Sequence, residues 1–171
     1  MAIGTRLGVA GGNQGTMFVM VAVHRAPMRS RNDAVEPQAA IDRARRLGLC
    51  GFGQYVDRSG EQERLVRRVG RFADLDDGSF VWSRDTDGWF WLGRICGPYF
   101  YDAGEAAAAV DLVHVRPCEW LSAPTPEQEV PSAVIATFRR GGRNFQEIHH
   151  RSIGEHTQRI WDARRNQPAD D

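Results

Sequence analysis

The stretch that decides the fold consists of Ser79-Phe-Val-Trp-Ser-Arg84, Asp85-Thr-Asp-Gly88 and Trp89-Phe-Trp-Leu-Gly-Arg-Ile-Cys96. Two aromatic segments separated by an Asp-Gly turn predict a β-hairpin, because glycine supplies the positive φ that a tight turn requires. Side chains alternate between the faces of a strand, so Phe80 and Trp82 are expected to share one face. The other elements are predicted from shorter signals in the sequence before and after this hairpin.

Shorter signals on both sides of the hairpin extend the prediction to an α+β domain. They indicate a buried strand over 17–23, a helix over 38–47, a strand or short helix over 65–69, short strands near 99–101 and 110–115, a loop over 104–109, a break at Pro117, and helices over 130–140 and 154–165. This order predicts a curved mixed sheet or open β-barrel with flanking helices.

Length and composition fit one globular domain. The 171 residues, 42% hydrophobic and 26% charged, are enough for one core. We predict a flexible N-terminal arm over 1–16, a single domain over 17–165 and a frayed tail over 166–171. No apolar run approaches the ~18 residues of a membrane span, and the Gly-rich start lacks a signal-peptide core. The expected location is the cytoplasm, in association with the nucleoid and not with a membrane.

The charge distribution narrows the class of partner. All 22 basic residues are Arg, and they balance 22 acidic residues, but residues 1–71 carry twelve Arg against six acids. The Arg guanidinium makes bidentate hydrogen bonds to phosphate, and its plane can stack on bases. A protein with no net charge, however, binds polyanions only weakly in a non-specific way. We therefore expect any nucleic-acid contact to be local and to need a specific pocket.

Aromatic side chains concentrate between residues 72 and 120, where four of the five Trp lie. Two ring walls spaced to admit one base hold it by stacking, which contributes about 1–3 kcal/mol. The side chains predicted to form such a pocket are Trp82, Ser83, Tyr55, Phe52, Trp91 and Trp89. Packing in the core is the alternative for each aromatic residue and stays open at this point.

Arg residues near these aromatics and in two Arg-rich segments are predicted to contact the nucleic-acid backbone. They are Arg84, Arg43, Arg46, Arg139, Arg140 and Arg143. A solvated helix face is the alternative for most of them.

No catalytic residue, metal or cofactor is predicted. The histidines at 149, 150 and 156 lack a recognised metal-ligand spacing, and the three separated cysteines form no C-x-x-C pair. Neither a G-x-S-x-G elbow nor a Gly-rich phosphate loop is present in the sequence.

Four stretches resemble the EVE-like domains of the PUA-like superfamily. They are Phe80-Val-Trp-Ser-Arg-Asp85, Trp91-Leu-Gly-Arg-Ile-Cys-Gly-Pro-Tyr-Phe-Tyr-Asp102, Val115-Arg-Pro-Cys-Glu-Trp-Leu121 and Gly142-Arg-Asn-Phe-Gln-Glu-Ile-His149. The resemblance covers roughly residues 17–150. It implies a barrel-like sheet and a pocket for a flipped, modified base, as in the related YTH and SRA domains. Trp82 and Ser83 match the motif and are implied as pocket residues.

The resemblance implies a bacterial, non-catalytic reader of methylated DNA from a modification-dependent restriction system, with 5-methylcytosine as the favoured base. A methyl group contributes under about 1 kcal/mol by burial, so selectivity must come from a fitted aromatic wall and bonds to the base edge, and a modest discrimination of about tenfold is expected. The chain carries no nuclease motif, so a stand-alone reader, or one that works with a partner effector chain, is expected. An RNA-binding module, a small nuclease and a protein-interaction subunit of a defence system are the alternatives. The oligomeric state is left open.

Overall fold

The computed structural model describes residues 20–56 and 58–168. In these ranges the elements are β1 (Val23–Arg25), α1 (Pro37–Leu47), β2 (Leu49–Phe52), α2 (Glu61–Ala73), β3 (Phe80–Arg84), β4 (Phe90–Ile95), β5 (Phe100–Tyr101), α3 (Glu105–Ala109), β6 (His114–Trp120), a 3-10 turn (Glu127–Glu129), α4 (Ser132–Arg139), β7 (Gln146–Glu147) and α5 (Ile153–Arg164). None of the helices described is long and apolar enough to span a bilayer. The arm predicted over 1–16 lies outside the described residues.

The strands form one curled, mixed sheet. Their order is β2–β6–β4–β3–β1–β7, and β5 pairs with β6. β1 runs parallel to β3, while the other pairings are antiparallel. The sheet curls strongly into a half-barrel flanked by the helices, which confirms the predicted α+β fold class.

The hairpin at the centre of the prediction is confirmed as β3 and β4. Trp82 lies opposite Leu92 in its register. Gly88 turns the chain at φ 91°. The Asp85 carboxylate fixes the turn because Oδ1 accepts hydrogen bonds from the backbone N–H groups of Asp87 (3.0 Å) and Trp89 (2.9 Å).

Phe80 and Trp82 share one face of β3, as alternation predicts, but α4 and α5 cover that face. Trp82 is completely buried, and its indole N–H donates a hydrogen bond to Thr157 Oγ1 at 3.3 Å. Ser83 is also completely buried. The prediction that Trp82 and Ser83 line a binding pocket is therefore wrong: α4 and α5 cover Trp82, and Ser83, on the opposite face of β3, is buried beside its register partner Trp91.

Local structure differs from the pattern at three places. The strand predicted over 17–23 is Val23–Arg25 among the described residues, and a short helix replaces the loop predicted over 104–109. The break predicted at Pro117 is absent because Pro117 lies inside β6, where the partner of β6 changes from β5 to β4. A proline without an N–H is tolerated where ladder pairing changes.

Candidate functional site

Aromatic side chains from distant segments meet where the curled sheet brings β1 towards β2. The Phe145 ring contacts His24 of β1 and Phe52 of β2, with centroids 5.0 and 6.1 Å apart. These strands are four places apart in the strand order, so only the curl of the sheet brings them together. We name as the aromatic cluster the residues His24, Phe52, Phe72, Tyr99, His114 and Phe145.

The rings of the aromatic cluster have defined orientations. Phe145 stacks on His24 with an angle of 13° between the planes, and Phe72 meets Phe145 edge-on at 5.0 Å. On the other side of Phe52, the Tyr99 hydroxyl and His114 Nδ1 are hydrogen-bonded at 2.8 Å. The stack, the edge contact and the hydrogen bond fix the relative orientations of the rings, of which Tyr99, His114 and Phe145 are partly exposed and the other three are buried.

Helix α2 covers the aromatic cluster with one face and presents arginines on another. Leu65 and Phe72, seven residues apart, are its buried side chains. Four arginines recur at helical spacing beside them: Arg64, Arg67, Arg68 and Arg71. They line a groove of about 720 Å³ whose opposite wall includes His24, Asn144 and Phe145. We call it the arginine groove.

The arginine groove is electropositive. Its lining holds four arginines against two acids, Asp74 and Glu147. No carboxylate in residues 20–56 and 58–168 lies within 4.0 Å of a guanidinium nitrogen of these four arginines. Burial lowers the pKa of Arg68, which lies 5.9 Å from the centre of the Phe52 ring. The groove therefore offers cationic donors next to ring faces.

A buried arginine holds the C-terminal end of α2 in place. Arg116 donates from Nε to Gly97 O (2.8 Å) and from Nη1 to the carbonyls of Phe72 (3.0 Å) and Leu75 (2.6 Å), and its Nη2 pairs with Asp77 (2.7 Å). These bonds join β6, the β4–β5 bend and the end of α2. The Arg71 and Phe72 end of the groove thus has a fixed position on the sheet.

His24 is buried as a neutral imidazole, which makes stability depend on pH. Burial lowers its pKa from 6.5 to about 4; Glu147 opposes this shift and His149 adds to it. The unfolded chain binds a proton below pH ~6.5, so acidification from pH ~6.5 to ~4 destabilises the fold by up to roughly 3 kcal/mol. His24→Phe should remove this part of the pH dependence in unfolding measurements from pH 7 to 4. Equal slopes for wild type and variant would contradict the assignment.

A second groove lies on the other side of α2. It has a volume of about 620 Å³ and includes Tyr55, which is 42% exposed, together with Asp111 and His114. The Asp111 carboxylate already accepts hydrogen bonds from Ser30 Oγ (2.5 Å) and the Gln54 N–H (2.9 Å). The acceptor capacity of this groove is thus largely used within the chain.

The predicted pocket residues do not converge on one cavity. Phe52 belongs to the aromatic cluster, and Tyr55 lines the second groove. Trp91 is buried, donates to Asp85 Oδ2 at 2.9 Å and is covered by Arg45, whose guanidinium carbon is 3.1 Å from the ring centre. Trp89 is 53% exposed at the hairpin turn. The hairpin tryptophans therefore form no shared pocket with Phe52, and this part of the prediction is wrong.

Three of the predicted backbone-binding arginines pair within the chain. Arg43 lies 3.3 Å from Asp102, Arg139 lies 3.8 Å from Glu127, and Arg143 donates to Ser30 O and Asp33. The other three are exposed on separate elements: Arg46 at the end of α1, Arg84 at the end of β3 and Arg140 after α4. The six do not form one surface, so a shared backbone-binding role for them is not supported by their placement.

Sequence reasoning missed His24, Phe72 and Phe145 as candidate site residues. Two signals pointed towards them. The arginine spacing along 64–71 indicates a basic helix stripe, and Phe145 lies inside the 142–149 stretch that carries part of the family resemblance. Neither signal identifies the rings that contact Phe145, which come from β1, β2 and α2, each more than 70 positions before it.

Comparisons with known proteins show a similar backbone fold in solved structures and no similarity at the level of sequence families. No protein-family model and no curated protein matches the sequence. Among solved structures, the chain is similar to the Pho92 YTH domain in complex with m6A (TM-score 0.46, 13% identity, covering 88% of this chain and 87% of that chain). It is also similar to the YTH domain of Zygosaccharomyces rouxii MRB1 in complex with N6-methyladenosine RNA (TM-score 0.45, 10% identity, covering 87% and 90%).

A third similar structure is protein Atu2648 from Agrobacterium tumefaciens (TM-score 0.34, 11% identity, covering 88% of this chain and 99% of that chain). At these identities and TM-scores the similarities establish neither a family nor a ligand for this chain.

Proposed function

We propose that this chain is a non-catalytic nucleic-acid-binding domain that holds the backbone in the arginine groove and receives one modified base at the aromatic cluster. The observation that carries the proposal is the position of four arginines, without ion pairs among the described residues, beside the His24–Phe145 stack. Phosphates need cationic donors and a base needs ring faces, and this groove combines both.

The dimensions of the arginine groove fit a short stretch of one strand. Arg64 to Arg71 spans seven residues of helix, about 10 Å at 1.5 Å per residue. The phosphates of one B-DNA strand are about 3.4 Å apart along the duplex axis, so the stripe spans roughly three nucleotides when α2 lies along that axis. A base next to such a stretch reaches the aromatic cluster only after it leaves the stack, which is the base-flipping arrangement.

The base we propose is 5-methylcytosine in double-stranded DNA, which is the ligand implied by the sequence resemblance. Selectivity for a methyl group rests on a small apolar contact with the cluster and is expected to be about tenfold. RNA that carries a methylated base is the competing candidate ligand, and the binding test below compares it directly with methylated DNA.

A binding panel tests the proposal. Matched oligonucleotides are compared by fluorescence anisotropy at a stated salt concentration: duplex DNA that is unmodified or carries 5-methylcytosine or N6-methyladenine, and RNA with and without N6-methyladenine. We expect the duplex with 5-methylcytosine to bind about tenfold more tightly than the unmodified duplex. Tighter binding to the methylated RNA would show that the ligand is RNA and not DNA. Binding to none of the probes would overturn the proposal.

A further inference from the structure

We propose that the ring of Phe145 occupies the position in which this chain binds a flat, uncharged heterocycle, and that His24 is the fixed ring against which that heterocycle stacks. The inference deepens the proposed function and rests on it, because it assigns the place of the base within the aromatic cluster. Phe145 is then an occupant that leaves on binding, and not a wall of the pocket.

The first argument is the enclosure of the Phe145 ring. His24 covers one of its faces at 5.0 Å and 13°, Phe72 meets it edge-on at 5.0 Å, and Phe52 is tilted against it at 6.1 Å. Phe145 itself is only half-buried and lines the arginine groove. The surrounding rings thus form a site of aromatic-ring size that opens where phosphates would bind.

The second argument is the different attachment of the two stacked residues. His24 lies inside β1, between its register partners Val81 in β3 and Glu147 in β7. Phe145 lies just before β7 and takes part in no strand pairing, while Arg25 holds the backbone before it through the carbonyls of Gly141 (2.7 Å) and Asn144 (3.2 Å), so only the side chain is free to turn. Rotation about χ1 moves the phenyl ring towards the groove without breaking a strand pairing. Phe145 is therefore the ring that can leave, and His24 the ring that stays.

The third argument is an unused polar atom at the site. His24 is 5% exposed, and its Nδ1 has no hydrogen-bond partner among the described residues. A buried polar atom without a partner costs free energy that a ligand group can recover. Phe145 has no polar side-chain atom to offer, whereas a nucleotide carries polar groups around its ring. Because hydrogen bonds to Nδ1 lie in the plane of the imidazole ring, only a polar group of the nucleotide that extends past the ring edge, and not the stacked base itself, can reach this atom.

The first arm of the test uses Phe145→Ala and the preferred oligonucleotide from the binding panel. We expect about tenfold tighter binding than wild type, because no ring has to be displaced before the base enters. Phe100→Ala is the matched control, since it removes an exposed phenylalanine from β5, and its affinity should equal that of wild type. Weaker or unchanged binding by Phe145→Ala, with a Tm near that of wild type, would overturn the proposal.

The second arm keeps the placement testable if wild type binds no oligonucleotide, which is the failure of the proposed function. Phe145→Ala is titrated with the nucleosides 5-methylcytidine and N6-methyladenosine while the imidazole signals of His24 are followed by NMR. Binding with shifts at His24 supports the placement, and no binding or shifts elsewhere overturns it. If the alanine variant does not fold, Phe145→Leu takes its place in both arms, and a several-fold gain in affinity is expected.

Discussion

Trp82→Ala is expected to destabilise the whole domain by about 3–5 kcal/mol and not to remove ligand binding selectively. The indole is completely buried, packs between β3 and the C-terminal helices, and donates its N–H to Thr157. The substitution leaves a large cavity and a buried hydroxyl without its donor. A domain of ordinary stability has 5–15 kcal/mol in total, so this loss is a large fraction of the free energy of unfolding and should lower the Tm by many degrees.

Chemical denaturation of Trp82→Ala and of Trp89→Ala separates the two roles of tryptophan in this hairpin. Trp89 is exposed at the turn, and its replacement should change the free energy of unfolding by no more than about 0.5 kcal/mol. A Trp82→Ala protein that keeps wild-type stability but loses binding would restore Trp82 as a pocket residue and contradict the assignment to the core.

The hairpin was predictable because all of its determinants are local. Alternating aromatics, a turn glycine and an Asp that caps the turn lie within 18 consecutive residues, 79–96. The helix over 37–47 and its left-handed stop at Gly48 follow from equally local signals. Local patterns show the spacing of apolar residues along an element and the residue types that begin and end it. For the hairpin and this helix, these two kinds of signal were enough to predict the element.

Which face of the hairpin is covered could not be predicted from the same residues. The hydrogen bond between Trp82 and Thr157 joins positions 75 residues apart, and nothing in the hairpin indicates that α5 packs there. A run of tryptophans fits a pocket wall and a core equally well until the covering element is known. The motif match to Trp82 and Ser83 shared this ambiguity.

The aromatic cluster was beyond prediction for a similar reason. His24 and Phe145 stack although they are 121 positions apart, and the contact depends on how far the sheet curls. The arginine stripe of α2 is visible in the sequence, but its neighbours are not. Residues 65–69 alone also left open whether the segment is a helix, which decides whether its arginines share a face.

Removal of the arginine stripe is the second prediction with a large expected effect and tests the central claim most directly. The triple variant Arg64→Gln, Arg67→Gln and Arg71→Gln keeps good helix formers on exposed positions of α2, and Arg68 is left in place because it covers Phe52. Three lost phosphate contacts at roughly 1 kcal/mol each predict a loss of affinity of roughly 100-fold near 0.1 M salt.

The matched control removes the same charge from another surface: Arg151→Gln, Arg159→Gln and Arg165→Gln, all exposed around α5. The measurement is the affinity for the preferred oligonucleotide as a function of salt, for wild type and both triple variants. The slope of log K against log salt is negative, and we predict that its magnitude falls by about 3 in the α2 variant. The α5 variant should keep both the slope and the affinity close to those of wild type. Equal losses in both variants, or no loss in the α2 variant, would contradict a nucleic-acid site in the arginine groove.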